Sequence, residues 1–191
     1  MSWEERRLTD PRAMRALAHP LRLKLLELAT REGTLTSTRA AEATGESTAS
    51  CSFHLRQLAK YGFIEEAEGG RGRERPWRPV VRDTRWSALQ PDREASAAAD
   101  ALTAHLLGRD LSALRDFLDR RANYPAEWQE AGGLISTSLL YLRVEELEQL
   151  TREYLELLRR YADRTADTSL RPEEALPVRL VVVAAPLPDD Q

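Results

Sequence analysis

The leucines that follow Pro20 recur at helical spacing. Leu21, Leu25 and Leu28 form an i, i+4, i+7 stripe, which predicts an amphipathic helix with one apolar face. Pro20 suits the first position of that helix, because the N–H group that proline lacks has no helical partner there. Gly33 is a plausible stop. We therefore predict a helical region over "DPRAMRALAHPLRLKLLELATREG" that is interrupted just before Pro20.

Two further helices are predicted on either side of a tight turn. Thr36 is a good N-cap for the short helix "STRAAEATG", which Gly45 ends. Ser47 then caps a helix that runs to about Lys60, and Gly62 follows its end. Two helices joined by a short turn that contains glycine are typical of a helix-turn-helix.

Two extended runs, "FIEEAE" and "ERPWRPVVR", flank the glycine-rich tip "GGRGR". This pattern predicts a β-hairpin, and the alternative is a flexible basic loop. The order helix, helix, turn, helix, hairpin predicts a winged helix-turn-helix domain over residues 1–83, with the hairpin at 63–81 as its wing.

A second region is predicted over residues 84–191, after a boundary near Asp83–Ser96. The stretches "ASAAADALTAHLLG", "LSALRDFLDRRANY" and "VEELEQLTREYLELLRRYADR" predict helices, and "LISTSLLYLR" and "PVRLVVVAAPLP" predict strands. The apolar stripe of the third helix fits packing within its own domain or a dimer interface. We expect a mainly α fold with small β content (α+β), in which a winged helix-turn-helix precedes a helical, α/β C-terminal dimerisation region.

Composition indicates the compartment of the protein and the distribution of its charge. The single cysteine among 191 residues excludes an intramolecular disulfide framework and fits a reducing compartment. The charged N-terminus and the absence of an apolar run of about 20 residues predict a cytoplasmic protein without a membrane segment. Residues 1–90 carry 16 basic and 12 acidic side chains although the whole chain has a net charge of −3, so the first region is the more basic.

Placing the helix 47–60 on a wheel separates two faces. Cys51, Leu55 and Leu58 form the apolar face, and His54 falls at its edge. Cys51 and His54 are too few for a metal site, which needs three or four ligands, and free cysteine is among the most buried residue types. We therefore predict Cys51 in the core and no bound metal.

The opposite face of this helix combines small, hydroxylic, aromatic and basic side chains. Arginine can bond bidentately to guanine, hydroxyl groups can bond to bases or phosphates, and an apolar group can contact the thymine methyl. Arginines at the hairpin tip suit phosphates or the minor groove. The candidate DNA-binding residues are Thr48, Ala49, Ser50, Ser52, Phe53, Arg56 and Lys60 on the helix and Arg71 and Arg73 at the tip.

The stretches "ALAHPLRLKLLELA" (16–29) and "STASCSFHLRQLAKYGFIEEAEGGRGRERPWRP" resemble the ArsR-type family of bacterial winged-helix repressors. The resemblance covers about residues 11–82, and it is carried by Ser52, His54, Leu55, Leu58, Gly62 and the hairpin with Arg71 and Arg73.

This resemblance implies a homodimer that binds an inverted-repeat operator and leaves it when an effector binds. It also implies that Ser52 and His54 lie at the DNA-facing edge of the recognition helix, which adds His54 to the candidates. The longer second half is similar to that of larger actinobacterial members. Metal-sensing members have clustered cysteines or an Asp-x-His pattern, whereas Cys51 is alone and "DALTAHLLG" lacks that pattern.

The sequence contains no P-loop, dinucleotide fingerprint, nucleophile elbow or zinc-protease motif. We therefore expect no enzymatic activity and no cofactor, and we leave open a small-molecule effector of unknown identity. The functional hypothesis is a sequence-specific regulator of transcription, a homodimeric repressor that binds double-stranded DNA. The alternative is a winged-helix adaptor that binds proteins and not DNA.

Overall fold

The computed structural model describes residues 5–69, 75–80, 83–87, 89–132 and 138–187. The α-helices are α1 (Pro11–Leu17), α2 (Pro20–Glu32), α3 (Ser37–Thr44), α4 (Thr48–Lys60), α5 (Arg93–Arg120), α6 (Ala126–Ala131), α7 (Val144–Arg159) and α8 (Asp163–Ala166). The strands are β1 (Glu5–Arg7), β2 (Ile64–Glu66), β3 (Trp77–Pro79) and β4 (Asp83–Arg85), and short 3-10 turns occupy Arg121–Asn123 and Thr168–Leu170. The expected mainly helical α+β fold class is confirmed.

The predicted break between α1 and α2 is confirmed, and local hydrogen bonds explain it. Pro20 is the first residue of α2, and the Leu21 N–H donates to Nδ1 of His19, its N-cap, at 3.2 Å. Gly33 ends α2 with a φ of +81°, a left-handed conformation that glycine adopts at little cost. The two helices are therefore separate pieces that can pack at different angles.

One apolar core joins α1–α4, the hairpin and the first half of α5. Helix α1 packs against α5, and α2 packs against α3, α4 and β3. Moving α4 out of this core would leave cavities, and cavities in a packed core are destabilising. The core therefore fixes the position of α4. Its largest fully buried side chains are Met14, Leu25, Leu35, Cys51, Leu55, Leu58, Ile64 and Leu102.

Helix α5 is one continuous helix of 28 residues, so the prediction of two separate helices in this stretch is wrong. Gly108 lies inside this helix. A glycine inside a helix costs only about 1 kcal/mol relative to alanine, and the helix extends through it. Ala98, Ala99 and Leu102 of α5 lie in the same core as α1. The division of the chain at residue 83 stays a prediction.

The N-terminal arm adds an interaction that sequence patterns did not predict. Strand β1 pairs in parallel with β4, with Arg6 opposite Thr84. The guanidinium of Arg6 donates to the Gly62 carbonyl at 2.9 Å and lies 4.5 Å from the centre of the Phe63 ring. The arm thereby holds the chain where α4 passes into the hairpin.

The two strands predicted in the C-terminal region are wrong for the residues that the structure describes. Residues 138–143 and 177–187 have no strand structure, and residues 134–137 of the first prediction lie outside the described part. An isolated strand leaves its N–H and C=O groups without partners and needs a neighbour to form. Within the described ranges, neither segment has a neighbouring strand.

Two arginines tie the C-terminal segment to the first region. Arg171 donates to the carbonyl oxygens of Thr30 and Arg31 at 2.7 and 2.6 Å, at the end of α2. Arg179 bonds to Glu27 of α2 at 2.6 Å and to Asp110 of α5 at 2.9 Å.

In the described ranges, every helix is too short or too polar to cross a bilayer.

Candidate nucleic-acid interface

Helix α4 is fixed by its cap and by one buried face. The Ser50 N–H donates to the Ser47 hydroxyl at 3.1 Å, which confirms Ser47 as the N-cap. The side chains of Cys51, Leu55 and Leu58 are fully buried against α2 and α3. Because these three residues hold one side of α4 in the core, its other side must face solvent.

The prediction of a core role for Cys51 is confirmed. Its Sγ atom lies 3.6 Å from the hydroxyl of Thr44 on α3, and the thiol is fully buried. Within the part of the chain that the structure describes, no group of three or more His, Cys, Asp or Glu side chains is arranged to hold a metal ion.

The solvent face of α4 carries a large aromatic side chain among small and basic ones. Phe53 is 50% exposed, although burying a phenylalanine is worth about 1.5–3 kcal/mol. Arg56 and Lys60 are exposed on the same side, and no carboxylate occurs between Thr48 and Lys60. Of the remaining candidates, Thr48 and Ala49 are exposed and Ser50 and Ser52 are half-buried.

Both basic side chains of this face lie close to the helix surface. The Arg56 Nε–H donates to the Ser52 carbonyl at 3.2 Å, which aligns the guanidinium along α4. The Lys60 ammonium lies 5.4 Å from the centre of the Tyr61 ring. An acidic polymer that approaches α4 would therefore find two positive charges spaced by about one turn.

His54 differs from the other candidates because its ring packs against other side chains of the protein. The ring centre lies 4.5 Å from that of His19 and 5.2 Å from that of Phe53. Burial, together with the nearby His19 and Arg22, lowers the pKa of His54. The lowered pKa favours the neutral form of the ring, which meets the Phe53 ring edge to face.

Two polar atoms near the contact between His19 and His54 are buried without a hydrogen-bond partner among the described residues. These are Nδ1 of His54 and Nε of Arg22. Burial, with Arg22 and His105 nearby, also lowers the pKa of His19. Sequence patterns did not reveal that His19 and His54 come into contact, since they are distant along the chain.

The hairpin beside α4 is confirmed as an antiparallel pair, in which Glu65 lies opposite Arg78. Arg78 bonds to Glu65 at 2.8 Å, and Arg75 lies 3.6 Å from Glu66. Arg78 of β3 and Arg75, just before that strand, thus each have a neighbouring carboxylate. The two tip candidates, Arg71 and Arg73, lie outside the described residues.

A cleft of about 660 Å³ lies away from this interface, between α2 and α5. Leu23, Leu28 and Ala104 line it, together with Lys24 and Arg109. Lys24 is therefore an exposed lysine on a different side of the domain from Lys60.

Comparison with known proteins agrees with this arrangement. A family model described as a helix-turn-helix domain matches residues 17–67, a range that contains α2, α3, α4 and β2. No curated protein matches the chain. Residues 17–67 are therefore similar to a helix-turn-helix domain, and this similarity supports a DNA-binding regulator.

Proposed function

We propose that the protein is a sequence-specific transcriptional regulator, a homodimeric repressor whose α4 enters the DNA major groove. The hairpin at 63–81 is its wing. The observation that carries this proposal is the solvent face of α4, which exposes Phe53, Arg56 and Lys60 with no carboxylate on the helix. The match to the helix-turn-helix family supports the same role.

The composition of this face suits both parts of DNA recognition. Basic side chains bind phosphates and supply affinity, whereas contacts to base edges supply specificity. Arg56 can bond bidentately to guanine, and Phe53 can contact the methyl group of thymine. The N-terminal part of a recognition helix normally makes the base contacts, which gives Thr48, Ala49 and Ser50 access to bases.

Three other arginines near α4 have carboxylate partners. Arg39 on α3 bonds to Glu32 at 2.9 Å and lies 3.7 Å from Glu42, and the hairpin arginines Arg75 and Arg78 are paired with glutamates of β2. Because an ion-paired guanidinium attracts phosphate less, these three arginines are weaker candidates for phosphate contacts. Arg71 and Arg73 remain candidates for the wing on the basis of the sequence.

A two-fold dimer is part of this proposal because a single recognition helix reads only a few base pairs. Two copies of α4 related by a two-fold axis would read half-sites about one helical turn apart. Such a protein selects an inverted repeat. Repression then follows if the operator overlaps a promoter, and an effector that changes the dimer would release it.

The two lysines of the chain offer a matched test. We expect Lys60→Ala to weaken binding to the selected operator and to reduce the slope of log K against log salt by about 1, the change expected when one lysine no longer neutralises a phosphate. Lys24→Ala removes the same charge at the α2–α5 cleft and should leave binding unchanged. Arg56→Ala should cost about 1–3 kcal/mol and relax specificity at one base pair of each half-site.

The measurement is a gel-shift titration at several salt concentrations, with circular dichroism to show that each variant is folded. Equal binding by the Lys60→Ala, Arg56→Ala and wild-type proteins would exclude α4 as the reading element. A folded protein that selects no DNA sequence would favour the protein-binding adaptor.

A further inference from the structure

The chain exposes more surface than a compact protein of its size. Its accessible area is 14135 Å² for a mass of 21.6 kDa, whereas a compact monomer of that mass exposes roughly 9,000 Å². The excess is roughly 5,000 Å² per chain, whereas one partner of an obligate homodimer buries roughly 1,000–2,500 Å², so a dimer contact can cover part of it. The exposed apolar side chains show where this area lies.

Helix α7 contributes a continuous apolar stripe to this excess. Leu150 and Leu157 are 47% and 48% exposed, and Tyr161 just beyond the helix is 55% exposed. Leu147 and Tyr154 continue the stripe and are half-buried. These five residues repeat at alternating spacings of three and four, which is the pattern of a helix that packs along another helix. We call them the α7 stripe.

A shallow groove runs beside the α7 stripe. Leu140, Leu142 and Leu150 line it, the acidic side chains of Glu146 and Glu153 lie along it, and its volume is about 450 Å³. An occupant of this groove must offer apolar side chains together with positive charge. The C-terminal end of α7 itself has that chemistry, since Leu157 and Tyr161 lie beside Arg160.

We propose that α7 pairs antiparallel with α7 of a second copy of this chain, and that this contact forms the dimer of the proposed function. In an antiparallel pair centred near Glu153, Leu147 meets the partner's Leu157, and Leu150 meets the partner's Tyr154. Glu146 and Arg160 lie two heptads apart on the same flank of the helix. The two-fold axis therefore places Glu146 opposite the partner's Arg160, and this pair occurs twice.

The charge distribution of α7 fits this orientation and disfavours a parallel one. Glu145 and Glu146 stand in the first turn and Arg159 and Arg160 at the end. A parallel pair would bring like charges together at both ends, whereas an antiparallel pair brings opposite charges together at both ends and leaves one like-charged contact, Glu153 with the partner's Glu153, at the two-fold axis. A surface that complements itself about a two-fold axis is what a closed symmetric dimer needs.

A charge exchange between Glu146 and Arg160 tests the pairing and its direction. The two residues are about 21 Å apart along one helix, so they cannot touch each other within a chain. We expect Glu146→Arg and Arg160→Glu each to weaken the dimer about tenfold, because each turns two attractive pairs into repulsive ones. An equimolar mixture of the two variants should dimerise as tightly as the wild-type chain. In the mixed dimer, each of the two pairs again joins an arginine to a glutamate.

A matched pair of leucines tests the apolar part of the interface. Leu150→Glu should weaken the dimer more than a hundredfold, while Leu118→Glu, on α5 and with a similar exposure of 43%, should leave it unchanged. Sedimentation equilibrium of the full chain without DNA measures the dissociation constant, and circular dichroism reports folding.

The proposal is overturned if the wild-type chain is a monomer at micromolar concentration, if mixing the two charge variants does not restore the dimer, or if Leu118→Glu is the variant that disrupts it. Because no DNA is present, these outcomes are independent of the gel-shift result. A dimer that passes these tests and binds no DNA would contradict the proposed function alone.

Discussion

The two halves of the chain use their hydrophobic residues in opposite ways. Up to Leu102, apolar side chains from α1–α5 and the hairpin are buried together in one core. Beyond Leu102, Ala162 is the one hydrophobic residue that is buried in the described part of the chain. The first half therefore contains the packing that positions α4, whereas the apolar side chains of the second half are left exposed within the described residues.

The largest expected effect comes from the core of the first half. Leu25→Ala removes a fully buried side chain on α2 and should reduce the free energy of unfolding by about 2–5 kcal/mol, because the surrounding helices cannot close the cavity. Leu180→Ala, at a position in the second half that is 62% exposed, should change it by less than about 0.5 kcal/mol. Urea unfolding followed by circular dichroism compares the two variants.

A similar loss of stability for both substitutions would break the comparison. It would mean that the segment around Leu180 packs into the core of its own chain.

Removing the N-cap of α4 should have the next largest effect on the free energy of unfolding. Ser47→Ala removes the hydroxyl that accepts from the Ser50 N–H and should cost about 1 kcal/mol. Ser96→Ala is the matched control, because Ser96 lies inside α5 and its hydroxyl donates to the Asp92 carbonyl at the start of that helix. Thermal unfolding of both variants distinguishes a cap from an ordinary serine, and an equal effect would argue against the cap.

Replacing two glycines by alanine should change the free energy of unfolding in opposite directions. Gly45 follows α3 with a φ of +77°, so Gly45→Ala should destabilise the protein by about 1 kcal/mol. Gly108 lies inside α5 with open space where a Cβ atom would be, so Gly108→Ala should stabilise the protein by up to about 1 kcal/mol. Unfolding midpoints measure both, and a stabilising Gly45→Ala would contradict the geometry of the turn.

The smallest effect concerns the histidines beside α4. The pKa values of His19 and His54 are lowered in the folded chain, first of all by burial. The unfolded chain therefore binds protons more readily, and stability should fall as the pH is lowered from about 7.5 through the ordinary histidine pKa of about 6.5. Urea unfolding at three pH values should show this slope.

The double variant His19→Gln/His54→Gln should flatten that slope. His105→Gln, at an exposed position on α5, should flatten it less. A pH dependence that persists in the double variant would assign it to other groups.

Short-range sequence patterns correctly predicted the helix starts and buried positions of the first half of the chain. Ser47, Thr36 and Pro20 are each found at the helix start that their chemistry indicates, and the burial of Cys51 and Leu55 follows from the helical period. These predictions depend on residues within a few turns of one another, so a sequence is enough to make them.

The failures involve pairings between distant residues. The β1–β4 pair joins positions almost eighty residues apart, and the packing of His19 on His54 joins two helices. The strand predicted around Val181 has the right pattern, but a strand also needs a neighbour, which the pattern does not supply. The face of α4 was predicted correctly as far as exposure is concerned, and its role in binding DNA remains the proposal.

Selection of bound duplexes from a random DNA pool tests that proposal most directly. With the wild-type protein, we predict enrichment of an inverted repeat whose half-sites are centred about one helical turn apart. The same selection with Arg56→Ala should relax the preference at one symmetric pair of positions. An unenriched pool, or an identical motif from both proteins, would contradict the account of α4 as the element that reads DNA.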